Sequence, residues 1–326
     1  METLKTHPLA QSKSHFGISE KLQELICLMG QSQVFEDGEN LFYEMMGISM
    51  GAKQIQRVCE YYGEQIEEEN NQAIDSGASL PEKNTVGDKQ YVMVDGSMIL
   101  TREKGWREIK VGRIFSESDC ISVQANRKEI TQSEYICHLG EHEEFLRKME
   151  WRVEAYVGQK ICVADGAKWI WNWVEGTYPE MIQILDFYHA VEKLGHYARY
   201  QIEDEKERKR WLSKQKKALR KNKVNKIIEF LEIESGKTPE AEKARLDVIR
   251  YYKSNQKRMQ YKSYLEAGYL IGSGAIESAH RNIVQQRLKL SGQRWSEKGA
   301  QQIVNLRANH KSNRWEEVIS LIRKAA

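Results

Sequence analysis

Two short apolar runs in this chain end in the same dipeptide, Asp-Gly. The first is Tyr91-Val92-Met93-Val94, followed by Asp95-Gly96, and the second is Ile161-Cys162-Val163-Ala164, followed by Asp165-Gly166. A short apolar run bounded by turn residues is typical of a strand buried in a sheet. The pattern therefore predicts two buried strands, each with a carboxylate at its carboxyl end. In open α/β sheets, ligands bind at that edge.

Three further strands and two helices are predicted around these runs. The segment from Trp106 to Phe115 alternates between two faces, and short apolar segments follow at 120–123 and 181–185. Helical spacing is found at 142–157 and around Trp169. The order is three antiparallel strands, a helix, a strand, a helix and a strand, which is the arrangement of an RNase H-like fold. We therefore expect an α/β protein with a five-stranded mixed sheet.

The rest of the chain is predicted to be helical. Apolar stripes between residues 18 and 72 predict three helices, the last capped by Ser49, and both a helix-turn-helix and an ordinary three-helix bundle fit this pattern. Residues 187–266 carry no strand signal. The expected parts are a helical N-terminal domain at 1–85, the first part of the core at 86–190, an all-helical insertion at 191–268, and the completion of the core, with a glutamate-bearing helix and C-terminal helices, at 269–326.

The composition excludes several classes of protein. Apolar residues make up 40% of the chain and charged residues 30%, and no stretch approaches the roughly 18 apolar residues that a membrane-spanning helix needs. The segment Met1 to Ser14 is polar and lacks the apolar centre of a signal peptide. The five cysteines are scattered without a CxxC pair, which favours a reducing compartment over a zinc ribbon. We therefore expect a cytoplasmic protein without membrane contacts.

Charge is unevenly distributed along the chain, although the formal net charge is only +3. Basic residues dominate from Lys206 to Lys226, and acidic residues dominate from 60 to 75. Such asymmetry predicts a polyanionic partner on one face of the protein. The basic residues expected to contact this partner are Lys209, Arg210, Lys216, Lys217, Arg220 and Lys221.

Three carboxylates form the candidate catalytic set: Asp95, Asp165 and Glu277, the last in a helix that starts after Gly272-Ser273-Gly274. Phosphodiester chemistry with two divalent ions needs hard oxygen ligands, one of which bridges both ions. Asp95, on the central strand, is the candidate for this bridge. Each residue also has a purely structural interpretation, since Asp-Gly is a common turn signal and a glutamate is favoured near a helix start. The three carboxylates together are a more specific sign of a catalytic site than any one of them alone.

Asp186 and His189 form a second, smaller motif. Asp186 ends the strand predicted at 181–185, and residues at i and i+3 share one side of a helical turn. The histidine could hold a phosphate oxygen or position a carboxylate. A helix-capping aspartate with a core histidine is the structural alternative. Because Asp186 also competes with Asp165 as the second metal ligand, both assignments stay open at this point.

Basic and aromatic residues follow Glu277. Trp295 could stack on an unpaired base, and a core tryptophan is its structural alternative. The basic residues could hold a DNA backbone, with solvated surface charge as the alternative. These candidates for contacts with DNA are Arg281, Arg287, Lys289 and Arg294.

One further cluster, Cys137, His138 and His142, contains residue types that bind zinc. The three ligands would lie on a short polar helix, and the sequence offers no second half for the site. We therefore interpret the cluster as a half-buried cysteine and two surface histidines.

Seven stretches of the chain carry a combined signature. They are Val94-Asp95-Gly96-Ser97-Met98, Trp106-Arg107-Glu108-Ile109-Lys110-Val111-Gly112, Ala164-Asp165-Gly166-Ala167-Lys168-Trp169-Ile170, Ile184-Leu185-Asp186-Phe187-Tyr188-His189-Ala190, Ile271-Gly272-Ser273-Gly274-Ala275-Ile276-Glu277-Ser278, Arg287-Leu288-Lys289-Leu290-Ser291-Gly292-Gln293-Arg294-Trp295 and Leu306-Arg307. Together they resemble insertion-sequence transposases of the ISKra family, which are relatives of the Mutator-like DDE enzymes. The resemblance covers about residues 18 to 310, and the combination is specific although no single stretch is. Members often carry a cysteine-rich, ribbon-like segment before the helical N-terminus; Met1 to Phe16 holds no cysteine, so a short or truncated variant is expected.

The resemblance implies an RNase H-like catalytic core that is interrupted by a helical insertion before the final glutamate. It implies cleavage and strand transfer at the element ends with two Mg²⁺ (or Mn²⁺) ions. Carried over by position, Asp95, Asp165 and Glu277 resemble the catalytic triad. Asp186 and His189 resemble the accessory D/CxxH motif that such relatives carry after the fifth strand.

We therefore predict a DNA transposase. Residues 1–85 would bind the element ends, the basic insertion would hold double-stranded DNA through its phosphates, and synapsis of two ends would need at least a homodimer. Such an enzyme would act on the nucleoid of a prokaryotic cytoplasm. Two alternatives stay open, namely a structure-selective or guided nuclease on the same fold, and a domesticated, transposase-derived DNA-binding protein without turnover.

Overall fold

A computed structural model describes residues 15–83, 87–124 and 127–325 of the chain. The predictions for Met1 to Ser14, which concern the signal peptide and the missing cysteines, lie outside the described residues. The expected domain boundary at residue 85 also lies outside the described residues.

The described strands form a five-stranded mixed sheet and a separate two-stranded hairpin. The strand order in the sheet is β5-β2-β1-β6-β7, and β3 pairs with β4. This architecture confirms the predicted α/β class and the five-stranded mixed sheet. The strands are β1 (Lys89–Thr101), β2 (Gly105–Ser116), β3 (Cys120–Gln124), β4 (Arg127–Ile130), β5 (Glu134–Leu139), β6 (Gln159–Ala164) and β7 (Ile182–Leu185).

Parallel pairing on one side of β1 brings three strand ends to the same level. β1 pairs with β6 in parallel, and the last pair of this ladder is Val94 with Ala164. β6 pairs with β7 in parallel, and the last pair there is Ala164 with Leu185. On the other side, a three-residue turn joins β1 to β2, a length that suits only an antiparallel pair, and β2 pairs with β5 antiparallel.

β1 does not end at Asp95-Gly96, as the turn-like dipeptide predicted. Only its pairing with β6 ends there, and the strand continues to Thr101. A Cβ atom at Gly96 would lie 2.2 Å from the Glu108 carboxylate on β2. Gly96 therefore lies inside a continuous strand beside the flexible Glu108 side chain, and not in a turn.

The third strand of the sheet is β5, and not the segment 120–123 that was predicted for it. That segment belongs to β3 in the separate hairpin, where Ile121 and Val123 stay 49% and 47% exposed. Residues 135–137 of β5 are buried instead, because the helices His142–Val153 and Glu297–Lys311 pack against this strand. Strand preference depends on such burial, which the local sequence does not show.

Helices make up most of the remaining described chain. None of them is both long enough and apolar enough to cross a membrane. Between Phe187 and Glu266 the elements are all helical, in line with the periodicity there. The helices are α1 (Glu20–Ser32), α2 (Phe35–Met46), α3 (Ala52–Asp75), α4 (His142–Val153), α5 (Lys168–Thr177), α6 (Phe187–Gln201), α7 (Glu205–Leu219), α8 (Val224–Ile233), α9 (Pro239–Asn255), α10 (Tyr261–Glu266), α11 (Gly274–Ala279), α12 (Gln286–Leu288), α13 (Glu297–Lys311) and α14 (Trp315–Lys324), with a π-helical stretch, His280–Gln285, between α11 and α12.

The capping prediction for α3 was wrong. The helix begins after Gly51, whose backbone is extended and which offers no side-chain bond, so Ser49 is not the cap. A serine does cap α1, where the Ser19 hydroxyl accepts a hydrogen bond of 3.3 Å from the Leu22 amide. Cap residues satisfy amide groups that the first helical turn leaves without partners.

The chain divides into two compact units. The first unit comprises the described residues of Met1–Asp88, Asp95–Gly158 and Ile276–Ala326, and the second comprises Lys89–Val94 and Gln159–Ala275. In the first unit α3 packs along α13, and a Cβ atom at Gly63 would lie 2.2 Å from the Gln302 carbonyl oxygen. The N-terminal helices are therefore part of the first unit. In the second unit, which also contains β6 and β7, α6 packs against α9.

Candidate functional site

An aspartate follows each of the three parallel strands at the point where its ladder ends. The ladders end at Val94, Ala164 and Leu185, which are paired side by side, and the next residues in the chain are Asp95, Asp165 and Asp186. The sequence predicted carboxylates at strand ends. The pairing of Val94 with Ala164 and of Ala164 with Leu185 adds that the three ladders end side by side in the sheet. Asp95 belongs to the first unit, and the other two aspartates belong to the second.

In the second unit, backbone hydrogen bonds hold the two aspartates. Asp165 Oδ1 accepts a bond of 2.9 Å from the Ala167 amide. The Asp186 amide donates a bond of 2.7 Å to the Ala164 carbonyl, which extends the ladder by one step. Asp186 Oδ1 accepts a bond of 2.7 Å from the His189 amide and so caps α6, as the structural alternative predicted. These bonds orient both carboxylates before any ligand binds.

Capping of α6 uses only one of the two carboxylate oxygens of Asp186. The residue is completely buried, and its Oδ2 atom has no hydrogen-bond partner among the described residues. The Nδ1 atom of His189 is also buried and without a partner there. Buried polar atoms are nearly always paired, so two unpaired atoms on one helical turn point to a bound cation, phosphate or water.

Tyr251, from α9, lies beside these aspartates. A Cβ atom at Gly166 would lie 2.1 Å from its ring, so the absence of a side chain there lets the ring pack against the turn after Asp165. Burial raises the pKa of the Tyr251 hydroxyl, and the negative charges of Asp165 and Asp186 reinforce this rise. The tyrosine therefore stays neutral and adds no negative charge beside these carboxylates.

In the first unit, the structure pairs Asp95 with a residue that the sequence analysis missed. Asp95 Oδ1 accepts a bond of 2.8 Å from the Gly96 amide, and the His280 Nε2 atom lies 3.2 Å from Asp95 Oδ2. The His280 side chain is 6% exposed and that of Asp95 is 28% exposed. Glu277 is exposed and lies three residues before His280. Residues at i and i+3 share one side of a helix, so this spacing was the signal in the sequence that could have identified His280. His280 begins the π-helical stretch, a feature often found at functional sites.

Replacing His280 with alanine tests whether Asp95 is a metal ligand: if it is, Mn²⁺ binding is expected to weaken by about 10- to 100-fold, because a second group that orients a ligating carboxylate strengthens its hold on a metal. His280→Gln, which keeps a nitrogen near the same position, is expected to restore part of the affinity. Calorimetric titration with Mn²⁺ measures both, with the exposed His196→Ala as the matched control. Unchanged affinity in His280→Ala would rule out this role.

The donor chemistry of these side chains fits a hard divalent cation. Carboxylate oxygens are the protein ligands that Mg²⁺ prefers, Asp95 is accessible, and Asp186 keeps an unpaired oxygen. Within the described residues, however, no group of three or more histidine, cysteine, aspartate or glutamate side chains is placed to hold a metal ion. In the first unit Asp95 thus lies against His280, and in the second unit Asp186 accepts a hydrogen bond from the His189 amide.

Two of the predicted DNA contacts lie in the interior of the first unit. Arg287 is 1% exposed, its Nε donates a bond of 3.0 Å to the Gly30 carbonyl, and burial lowers its pKa to about 10. Its guanidinium lies 4.7 Å from the Phe35 ring centre and 4.8 Å from that of Trp295. Trp295 is buried and donates to the Leu288 carbonyl. Both residues therefore serve packing, and neither is retained as a DNA contact.

The other basic candidates are exposed, as contacts with a polyanion require. Six lie on α7 or directly after it in the second unit, and three lie in the first unit near Glu277. The exposed residues are Lys209, Arg210, Lys216, Lys217, Arg220, Lys221, Arg281, Lys289 and Arg294.

The cluster of Cys137, His138 and His142 is built differently from the prediction. Cys137 and His138 lie in β5, and His142 begins α4, so the three residues do not share a helix. Cys137 is buried, which raises the pKa of its thiol to about 12. Burial, with the Lys148 charge, lowers the pKa of His138 to about 4. A neutral thiol inside the protein fits the structural interpretation, although neither Cys137 nor His138 is as exposed as expected.

No protein-family model matches this chain, and no curated protein matches it.

Proposed function

We propose that this chain is a DNA transposase of the DDE type, which cleaves phosphodiester bonds at the ends of an insertion sequence and joins the freed ends to target DNA. The observation that carries the proposal is the common level at which Val94, Ala164 and Leu185 end their parallel ladders, each followed by an aspartate. Turn signals alone do not require an aspartate after three neighbouring strands.

The strand order supports the same proposal. β1 lies in the centre, with the antiparallel strands β2 and β5 on one side and the parallel strands β6 and β7 on the other. This is the topology that we expect of an RNase H-like core once β5 takes the place of the predicted third strand. A helical stretch, α6 to α10, precedes the helix of Glu277, as in the proposed family.

The proposed ligands are Asp95, Glu277 and either Asp165 or Asp186. When bound, two Mg²⁺ ions would lower the pKa of a water molecule and offset charge on the phosphate in the transition state. The amides of Gly96 and Ala167 orient two of these carboxylates, and His280 would steady Asp95.

The reaction consists of two transfers at phosphorus. In the first, water attacks the phosphodiester at the element end and a 3′-hydroxyl leaves. In the second, that 3′-hydroxyl attacks target DNA and displaces another 3′-oxygen. The exposed cations of α7 would hold the DNA backbone with little sequence preference and with strong dependence on salt. Two ends must meet in one complex, which calls for at least two copies of the chain.

A strand-transfer assay tests the proposal. The substrate is a labelled duplex carrying the DNA that flanks the coding sequence of this chain, incubated with a target plasmid and Mg²⁺ or Mn²⁺. We expect nicked ends and products in which the label is joined to the plasmid. Cleavage without joined product would favour a nuclease on the same fold. DNA binding without cleavage in either metal would favour a binding protein without turnover.

A further inference from the structure

A cavity of about 480 Å³ lies within the second unit, next to the turn that carries Asp165. It is lined by residues of α5, by Lys193 of α6 and by the last turns of α9. Gly166 and Tyr251 form the wall on the side of Asp165. A cavity of this volume is large enough for a ligand of nucleotide size.

The exposed charge on this cavity is predominantly positive. Lys168, Lys193 and Arg250 line it and are exposed. Asp247 is the single acidic residue among the lining residues, and its Oδ1 atom lies 3.3 Å from Arg250 Nη1. The Lys193 ammonium lies 5.4 Å from the centre of the Tyr251 ring. In the described residues, neither Lys168 nor Lys193 has a carboxylate within ion-pair distance.

Lysines nearby in the same unit are arranged differently. Lys253 on α9 pairs with Glu232, Lys257 pairs with Glu175, and Lys262 on α10 faces Glu266 at 3.6 Å. A fourth cation on the cavity wall, Arg258, is buried, lies over the Trp171 ring and also pairs with Glu175. Lys168 and Lys193 therefore place two uncompensated positive charges on this one cavity, which makes it a site suited to an anion.

We propose that this cavity is a subsite for the DNA strand, in which Lys168 and Lys193 contact phosphates of the nucleotides next to the scissile bond and Arg250 lies at the entrance. The inference rests on the proposed function, because the DNA strand is chosen as the anion on account of Asp165 beside the cavity. Phosphate contacts position a strand without reading its sequence. The subsite thus sets where the strand lies relative to Asp165.

Salt-dependent binding of labelled DNA tests the subsite before any cleavage takes place. The double variant Lys168→Gln, Lys193→Gln removes two charges and keeps most of each side chain. The slope of log affinity against log salt is expected to fall by about 2, since each lost phosphate contact lowers it by roughly 1. The matched control is Lys237→Gln, Lys243→Gln, which removes two charges from exposed positions of the same unit away from the cavity.

Photo-crosslinking with 4-thiothymidine next to the cleavage position locates the contact. Crosslinks are expected in peptides that contain Lys168, Lys193 or Arg250. An unchanged slope in the double variant, together with crosslinks confined to α7, would overturn the subsite and leave the transposase proposal standing. If the slope falls as expected but the wild type neither cleaves nor joins DNA, the subsite stands and the transposase proposal fails.

Discussion

Replacing Asp95 with asparagine is expected to lower metal-dependent DNA cleavage on the order of 10³-fold, while the affinity for DNA stays unchanged. The amide has nearly the shape of the carboxylate, so its Oδ1 atom still accepts the bond from the Gly96 amide. It lacks the negative charge that a bridging metal ligand needs. Nicking of the labelled duplex measures the first effect, and anisotropy of the same duplex measures the second.

The exposed Asp37→Asn is the control for Asp95→Asn, because it changes the same functional group on α2. Cleavage by Asp95→Asn at the rate of the wild type would remove Asp95 from the proposed site. Loss of DNA affinity together with cleavage would indicate a folding defect, which the melting temperature detects independently.

The same assay decides between Asp165 and Asp186 as the second ligand. Asparagine caps helices about as well as aspartate, so Asp186→Asn keeps the cap of α6 and removes only the charge. Asp165→Asn likewise keeps an acceptor for the Ala167 amide. The variant with the larger loss of cleavage identifies the ligand, and equal losses would mean that both carboxylates take part.

Replacing Glu134 with alanine is expected to destabilise the protein by about 3–5 kcal/mol, the cost of leaving buried charges without their partner. The Glu134 side chain is 3% exposed and lies 2.7 Å from the Lys83 ammonium, 3.1 Å from Arg152 and 3.6 Å from Arg314. The Tyr156 hydroxyl lies 3.3 Å away. Without Glu134, three cations would face one another inside the first unit. Chemical denaturation measures the change in free energy of unfolding.

The same carboxylate predicts a dependence of stability on pH. Burial alone would raise the pKa of Glu134, but the charges of Arg314, Arg152 and Lys83 outweigh it and hold the pKa below its usual value. A pKa that is lower in the folded state stabilises the fold above the unfolded pKa, and this contribution is lost as the pH falls through the folded pKa. The difference in stability between the wild type and Glu134→Ala should therefore shrink in acid.

Glu229→Ala provides the control for Glu134→Ala, since Glu229 is exposed in the middle of α8. Its change in stability is expected to stay within about 0.5 kcal/mol. A loss for Glu134→Ala no larger than that of the control would show that the cations of the first unit find other partners.

Several parts of the architecture could be predicted because their signals are local. The apolar runs before Asp95 and Asp165 are too short for helices and too apolar for loops, and they form β1 and β6. The run at 181–185 forms β7, and Asp186 then caps the next helix. The C-terminal helices predicted within 269–326 include α13 and α14.

Other parts could not be predicted because they depend on contacts between distant residues. β5 takes the third place in the sheet only because α4 and α13 cover it. Arg287 lies ten residues after Glu277 in the sequence and has the charge of a DNA contact. It is buried instead, because its guanidinium packs on the Phe35 ring and donates to the Gly30 carbonyl. His280 meets Asp95 across 185 positions of the chain (280 − 95 = 185), and no periodicity joins them.

Local patterns in the chain specify which segments become strands or helices and which of them end in a carboxylate, because those properties follow from residue spacing and side-chain type. Packing across the fold specifies the order of the strands, the level at which three aspartates leave the ladders, and the side chains that are buried beside them. These depend on burial and pairing between residues far apart in the chain, which exist only once the protein has folded.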